Sequence, residues 1–376
     1  MMERTDTAEA LNVLQVVPSF DPSFGGPVSS AYSVALAYQE FGVEVRSVGL
    51  GVPEAHWDRD ESIGFNGWQL SSSKRHVATV SFSLLWWLWR NVRRYDYIHV
   101  HYSRGLALIF VPLIARARSV PYVIQTHGMC EPWQGVPRLV DELLTWPALR
   151  AASRVLVLNA HEAESLQRRA NLSNCEVLYN SVAEVSGVDD RAGDHSRKLL
   201  FCSRLHPRKG LATFLTVAQR VQAIDSSVEV HVVGADEGAL SMARESALRL
   251  ELSVHFHGGL DRKQVRREML GSTVLLHPAP REPFGLSMIE AMSLGLPVVA
   301  SGSSALSDVF LEYGAALLVG DGDYDVWTES TLDVLYRPEV RDILVEGGRR
   351  LVRDQFSISS LSAKLKELAL NVVGQR

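Results

Sequence analysis

The sequence predicts an α/β protein made of two doubly wound domains. Three observations carry that prediction. Short apolar runs rich in β-branched residues alternate with amphipathic helical patterns along nearly the whole chain. One polar, aperiodic stretch divides the alternation into halves of about six strands each. A length of 376 residues suits two domains with sizeable cores. Apolar strands separated by helices imply parallel sheets covered on both faces, so each half reads as a Rossmann-like unit.

In the first half the strand candidates are Leu11–Val17, Val43–Leu50, Tyr97–His101, Tyr122–Thr126, Val155–Leu158 and Glu176–Tyr179. In the second they are Leu199–Ser203, Val228–Val233, Val254–His257, Val274–His277, Pro297–Ser301 and Ala316–Val319. Helical patterns lie between them at Ser29–Glu40, Ala160–Arg169, Leu211–Ile224, Ala239–Leu250 and Arg262–Leu270. The stretch from Ser181 to Lys198 is polar, holds two glycines and lacks periodicity, as a linker does. The expected domains are therefore 1–182 and 199–357, joined by a linker over 183–198. A last helical pattern, Ile358–Val373 within 358–376, is free to dock on either domain, including by crossing back to the first. Two such domains facing each other place strand C-termini, and with them ligands, in a central cleft.

Composition narrows the function. With 46% hydrophobic and 22% charged residues the chain is ordinary for a globular protein. A net charge of −5 and the lack of a long basic run give no reason to expect nucleic acid. Cys130, Cys175 and Cys202 are odd in number and scattered, which fits neither a disulfide framework nor a metal-ligand spacing and points to a reducing compartment. The polar, acidic start does not resemble a signal peptide, and no run reaches the ~18 apolar residues of a spanning helix. A cytoplasmic protein is expected.

The richest segment runs from Arg281 to Glu290, R-E-P-F-G-L-S-M-I-E. Pro283 and Gly285 mark a turn, after which Leu286, Ile289 and Met292 recur at helical spacing until Gly295 and Pro297 end the run. The amides of Phe284, Gly285 and Leu286 fall at the new helix's N-terminus, where the macrodipole favours an anion. Glu282 lies in the turn and Glu290 one helical turn beyond Leu286, beside the apolar stripe, where a charge is costly without a partner. An anion seat flanked by two acceptors suits a nucleotide sugar: a diphosphate to seat, and ribose and sugar hydroxyls to hold.

Other loops add to this. The first strand leads to Gly25 and Gly26 immediately before a helix, which lets backbone approach a ligand but does not form the G-x-G-x-x-G fingerprint. C-S-R-L-H-P-R-K-G-L places Arg204, Arg208 and Lys209 between a strand end and a helix start, an anion site suited to pyrophosphate. His127 follows a strand and precedes Gly128; it reads as a hydrogen-bond donor or general acid. His99 and His101 alternate on one strand face and read as structural. None of the 12 histidines falls in a metalloprotease-like spacing, so no metal is expected. Phe82–Arg94, F-S-L-L-W-W-L-W-R-N-V-R-R, reads either as a core helix packing its Leu and Trp faces on a sheet, or as a helix lying in a lipid interface. In the second case the protein would work at the inner face of the membrane.

Taken together, these segments resemble a retaining nucleotide-sugar glycosyltransferase of family 4, with the GT-B fold. The resemblance spans essentially the whole chain. It rests on G-G-P near the N-terminus, T-H-G, L-Y-N-S-V before the linker, S-R-L-H-P-R-K-G, and E-P-F-G-L-S-M-I-E-A-M-S-L-G-L-P-V-V-A-S, the last being the most specific. It implies that Gly25 and Gly26 approach the donor phosphates and that Arg204 and Lys209 bind the diphosphate. Glu282 would contact donor-sugar hydroxyls, Glu290 would hold the ribose, and His127 would lie near the donor sugar. The amides of Phe284 to Leu286 would complete the seat. It implies further a metal-independent transfer of a hexose-type sugar to a hydroxyl of a saccharide or lipid-linked acceptor, in polysaccharide or glycolipid assembly. Acceptor contacts would come from loops such as Met129–Pro137, with Glu131 and Trp133. One departure stands out: family members commonly carry Gly-Gly and a Glu after the V-V-A-S strand, where this chain reads S-G-S-S-A-L-S-D-V-F, with Ser303, Ser304 and Asp308.

Three other classes fit less of the sequence. A nucleotide-sugar epimerase of the same two-lobed architecture would bind the same donor, and product analysis without acceptor separates the two. A dinucleotide oxidoreductase needs the missing glycine fingerprint. An inactive sugar-binding module would have no use for a cationic diphosphate pocket.

Overall fold

The computed structural model of the chain describes residues 11–21, 26–53, 57, 62–69, 79–103, 105–130, 137–182 and 197–374. Gly25, Glu131, Trp133 and residues 183–196 of the expected linker lie outside these. The chain forms two compact units, one of residues 1–181 with 358–376 and the other of residues 182–357.

The first unit is built on a parallel sheet of seven strands. They are β1 (Asn12–Val16), β2 (Glu44–Leu50) and β3 (Ile63–Phe65), then, past a short antiparallel pair β4 (Trp68–Gln69) and β5 (Thr79–Val80), β6 (Tyr97–His101), β7 (Tyr122–Gln125), β8 (Arg154–Val157) and β9 (Cys175–Val177). Their spatial order is β3-β2-β1-β6-β7-β8-β9. The helices are α1 (Gly26–Glu40), α2 (Phe82–Asn91), α3 (Leu106–Ile109), α4 (Val111–Ala117), α5 (Pro137–Val140), α6 (Trp146–Arg150) and α7 (Ala160–Ala170).

Strand alternation sorts the side chains to two faces. Leu14, Val16, Ile98, Val100, Ile124, Val155 and Val157 point to one face and pack with Leu84 and Leu88 of α2 and with α4 and α6. Val13, Tyr97, Val123 and Leu156 point to the other, where they meet Val34, Ala35 and Tyr38 of α1. Leu361, Leu365, Leu368 and Val372 join that second core, so the helix Ile358–Val373 is part of this unit although it follows the other one in sequence. At roughly 1.5–3 kcal/mol per large apolar side chain buried, those four residues hold the helix firmly.

Helix α2 splits the two readings of its sequence. Leu84 and Leu88 are buried and Trp87 packs against the core beside Phe65, but the other two tryptophans do not: Trp86 and Trp89 are 59% and 48% exposed, and Phe82 is 73% exposed. Among the described residues no helix is long and apolar enough to cross a membrane.

The second unit is a six-stranded parallel sheet of β10 (Lys198–Cys202), β11 (Glu229–Val233), β12 (His255–Gly258), β13 (Val274–His277), β14 (Val298–Ser301) and β15 (Leu317–Val319). Its helices are α8 (Leu211–Ile224), α9 (Leu240–Arg249), α10 (Arg262–Leu270), α11 (Leu286–Ser293), α12 (Ser307–Tyr313), α13 (Tyr324–Tyr336) and α14 (Pro338–Leu351). Phe201, Val230, Val232, Leu276 and Val299 pack against Phe214, Leu215 and Val221 of α8 and Trp327 of α13. The strand order is β12-β11-β10-β13-β14-β15. The chain moves outward from β10 to β12, then jumps back past β10 to start again at β13. The crevice between β10 and β13, beyond their C-terminal ends, is the topological switch point where such sheets take ligands.

Candidate functional site

Two loops meet at that switch point. The first follows β10, where Pro207–Lys209 makes one 3₁₀ turn and Gly210 then starts α8 with φ +75°. A Cβ on Gly210 would lie 2.3 Å from the carbonyl oxygen of Pro278, so only glycine lets this turn press against the loop after β13. That second loop carries Glu282. The close approach brings the Lys209 ammonium to within 2.6 Å of Glu282 Oε2, to which it donates a hydrogen bond.

His277, the last residue of β13, stands 3.3 Å from the same oxygen through its Nε2. Burial pushes the Glu282 carboxyl up, but the His277 contact and then the Lys209 charge outweigh it and hold the group down to about 2. Both partners converge on Oε2, and among the described residues Oε1 takes no hydrogen bond. Glu282 is therefore an ionised acceptor at any physiological pH.

The loop is held by its backbone as well. The amide of Ala305 donates to the Glu282 carbonyl at 2.9 Å, and the amide of Arg281, at φ +51°, donates to Ser303 Oγ at 3.0 Å. Ser303 Oγ in turn donates to Asp321 Oδ2 at 2.8 Å, and Ser301 Oγ donates to Asp321 Oδ1. Ser303 thus has a structural task in this chain: it fixes the loop that presents Glu282. His277, Ser301 and Asp321 were not singled out from the sequence, because their link to Glu282 is made only through space.

Beyond Glu282 the chain turns through Gly285, at φ +72°, into α11, whose N-terminus has no side-chain cap. Phe284 is buried edge-on against Phe356, with ring centroids 5.6 Å apart. The first turn of α11 is thereby anchored beside the ion pair, with Gly285 and Leu286 opening the helix. Glu290 follows one turn later. Burial pushes its carboxyl up and the Arg262 charge partly offsets this. Among the described residues its carboxylate accepts no hydrogen bond. It lies near the end of β10, where burial and then the charge on Glu290 push the Cys202 thiol up to about 12. A pocket of about 350 Å³ opens beside it, with apolar walls from Leu260, Val265 and Met269 and cations from Arg262 and Arg266. That size suits a nucleoside.

Arg204 is exposed and pairs with Glu237 at 2.8 Å, in the loop that follows β11. The second unit thus gathers Arg204, Lys209, Glu282, the start of α11 and Glu290 at the C-terminal ends of its central strands.

Two family models match the chain, "Glycosyl transferase 4-like domain" over residues 25–181 and "Glycosyl transferases group 1" over residues 189–351. The chain belongs to the GT-B glycosyltransferases of the family 4 type. The 2-deoxystreptamine N-acetyl-D-glucosaminyltransferase of Streptomyces fradiae is 29% identical over 269 residues, which is 65% of this chain and 64% of that protein, so the match spans less than two thirds of that relative. The phosphatidyl-myo-inositol mannosyltransferase of Mycolicibacterium smegmatis is 27% identical over 71% of this chain and 69% of its own length. The structure of Anabaena Alr3699/HepE in complex with UDP-glucose has the same fold, with a TM-score of 0.72 at 16% identity over 95% of this chain and 99% of that one.

In the first unit, Gly26 is the first residue of α1. His127 follows β7 at φ +53°, with Gly128 at +72°. The turn is gripped by Glu162, whose Oε1 accepts from Thr126 Oγ1 at 2.6 Å and from the Gly128 amide at 3.1 Å. His127 Nε2 stands 2.9 Å from His101 Nδ1, and the two rings stack. Burial, helped by His99, holds the His127 imidazole down to about 3, so the ring is neutral near pH 7. Of the two roles its sequence position suggests, a neutral ring favours the hydrogen-bond donor over the general acid. His99 and His101 are buried, as structural residues are: His99 accepts or donates to Tyr38 and Gln125, and His101 orients His127.

Proposed function

We propose that this protein transfers a hexose-type sugar from a nucleoside diphosphate donor to a hydroxyl of a saccharide or lipid-linked acceptor, with retention at the anomeric carbon and without a metal ion. The observation that carries the reading is the pairing of Lys209 with Glu282 at the switch point of the second unit, one helix start away from Glu290 and its pocket.

In this reading the nucleoside enters the pocket beside Glu290, whose carboxylate takes the ribose hydroxyls. The diphosphate lies at the start of α11, near Lys209 and Arg204, where cations and helix amides meet the charge that grows as the donor breaks. Those groups fill the part a divalent ion plays elsewhere. Glu282 Oε1 accepts from the sugar hydroxyls. His127 enters as a neutral hydrogen-bond donor to substrate, and Gly25 and Gly26 let backbone approach the phosphates. In the reaction the anomeric carbon loses its bond to the phosphate oxygen and gains one to the acceptor oxygen on the same face. The acceptor's proton passes to a donor phosphate oxygen. Involvement in polysaccharide or glycolipid assembly is supported on the glycolipid side by the likeness to the phosphatidyl-myo-inositol mannosyltransferase and by the exposed tryptophans of α2, which suit work on a lipid-linked acceptor.

The test is a thermal-shift panel of nucleoside diphosphates and nucleotide sugars, because a ligand well above its Kd raises the melting temperature. Product analysis with the best donor follows, with and without added acceptors and with EDTA throughout. Stabilisation by one nucleotide series and an α-linked product from an α-donor bear the reading out. An epimerised donor formed without acceptor would replace it with the isomerase reading, and loss of turnover in EDTA at a temperature where the stripped chain stays folded would remove the metal-free mechanism.

A further inference from the structure

The second unit carries a second cluster that the proposed transfer does not use. Whereas Lys209 and Glu282 sit in loops beyond the strand ends, this cluster lies on the sheet face that α10 covers. His231 of β11 is in register with His255 of β12. The pairing then slips, so that Val232 faces Phe256 but Val233 faces Gly258, and the extra residue in β12 is His257. The bulge brings His257 Nε2 to 2.9 Å from His231 Nδ1. From α10, Glu268 Oε2 reaches to 3.4 Å from His231 Nδ1 and 3.9 Å from His257 Nε2.

We propose that His231 Nδ1, His257 Nε2 and Glu268 Oε2 form a binding site for a divalent transition-metal ion such as zinc, separate from the sugar-transfer site. Tetrahedral zinc with bonds near 2.0–2.1 Å sets its ligand atoms about 3.3 Å apart. The three observed separations, 2.9, 3.4 and 3.9 Å, bracket that value. Two imidazoles and one carboxylate are a common zinc donor set, with the fourth position left to water.

The surroundings favour a cation over a plain hydrogen-bond network. The far nitrogen of His231, Nε2, lies 3.2 Å from Glu229 Oε2. A proton held there, donated to the carboxylate, leaves Nδ1 as a lone pair facing inward, which is how metal-binding histidines are usually oriented by a carboxylate behind them. One proton on His257 Nε2 can serve one of the remaining contacts. Glu268 Oε2 is buried and, among the described residues, accepts no hydrogen bond. When the His257 Nε2 proton leaves, lone pairs of His231 Nδ1, His257 Nε2 and Glu268 Oε2 face one point, and a metal ion satisfies them together. The opposing charge is Lys198, whose ammonium is 3.8 Å from Glu268 Oε2. His257 and Glu268 are half-buried, so solvent and ion have a way in.

The full chain, stripped with EDTA, is titrated with ZnCl₂ and followed by calorimetry, by metal content after gel filtration, and by melting temperature. One zinc per chain and an EDTA-reversible rise in melting temperature are expected. His257→Gln and Glu268→Gln each weaken zinc binding by at least about tenfold, while Lys198→Met tightens it by removing a like charge. The two variants lie on different elements, β12 and α10, so either serves as the safeguard should the other fail to fold. Lys209→Ala leaves zinc uptake unchanged, which keeps this test apart from the donor-site reading. No zinc retained by the wild-type chain, or equal affinity in the folded His257→Gln variant, overturns the proposal.

Discussion

Lys209 and Glu282 hold each other at 2.6 Å across two loops that are 73 residues apart in sequence. The pair joins the cation proposed for the diphosphate to the acceptor proposed for the sugar, so neither acts alone. A diphosphate must compete with Glu282 for the ammonium, and binding then frees the carboxylate for sugar hydroxyls. Lys209→Ala and Glu282→Ala should each lower kcat/KM by on the order of 100-fold, as removal of a charge-stabilising donor does elsewhere. Because the two depend on each other, the double variant should lose far less than the product of the single losses. Steady-state kinetics on the three variants measures this, and near-wild-type turnover in both single variants would remove the site assignment.

The same pair sets a pH dependence of stability. The Glu282 carboxyl is held down to about 2 in the folded chain, from an ordinary value near 4.5. A depressed carboxyl stabilises the fold fully above its unfolded value and loses that contribution as pH falls towards the folded one. Glu282→Gln should therefore be less stable than wild type at pH 7, by on the order of 3 kcal/mol. The gap should narrow between pH 4.5 and 2, where the wild-type carboxyl takes up its proton. Denaturant melts of both proteins across that range check it, and a gap that stays constant with pH contradicts it.

Asp321 acts on the same loop from a distance. It accepts from Ser301 and Ser303, and Ser303 takes the Arg281 amide next to Glu282. Asp321→Ala removes an anchor without touching the ion pair itself. A misplaced catalytic loop costs on the order of 10- to 100-fold in rate, so kcat should fall while nucleotide affinity, set at Glu290, stays close to wild type. Unchanged kcat would show that the Ala305 amide alone holds the loop.

The contiguous motifs were readable from sequence because one segment supplies both their local fold and their chemistry. Glu282, Gly285 and Glu290 lie within nine residues, and the Pro/Gly turn followed by an apolar stripe announces the helix that spaces them. The parallel sheets followed from strand and helix alternation. What depends on packing through space was not readable. Nothing local to His277 or Asp321 says that their partners are Glu282 and Ser303. His231, His257 and Glu268 come from two strands and a helix, and it takes a register slip in β12 to join them. Strands β3, β4 and β5 have three residues or fewer, too short for a period to show. In α2 the pattern holds two apolar stripes, Leu84 with Leu88 and Phe82 with Trp86 and Trp89. Which stripe meets the sheet is decided by the neighbours, and the leucines take that side.

Glu290 should govern affinity for the nucleotide more than the rate of transfer. A hydrogen bond to a charged group is worth about 1.5–3 kcal/mol, so Glu290→Gln should weaken nucleoside diphosphate binding roughly 10- to 100-fold. The assignment to ribose makes a sharper prediction. Wild type should lose affinity for a 2′-deoxy or 3′-deoxy nucleotide, and the variant should lose little further with the same analogue. Calorimetric titrations of both proteins with both ligands close that cycle, and full additivity would place Glu290 away from the ribose.

The exposed stripe of α2 makes a prediction about location. Phe82, Trp86 and Trp89 stand on one side of the helix, with Phe110 and Leu113 of the neighbouring turn and helix also exposed. Arg90 lies over the Trp86 ring at 4.4 Å and Arg118 over Trp89 at 5.0 Å, while Arg93 and Arg94 close the helix. An apolar stripe rimmed by arginines is the pattern of a helix that lies in an anionic lipid interface. Each arginine near such a surface adds about 1 kcal/mol, and the attraction is screened by salt. The full chain should therefore float with vesicles containing anionic lipid, bind weakly to neutral ones, and detach as salt rises. Trp86→Ser with Trp89→Ser should abolish flotation, since each half-exposed indole gives up roughly half of the 150–250 Å² that an aromatic side chain can bury, yet leave turnover on a soluble acceptor intact because the leucines still pack α2 on its sheet. Equal flotation of wild type and the double variant would mean that the tryptophans serve another partner than lipid.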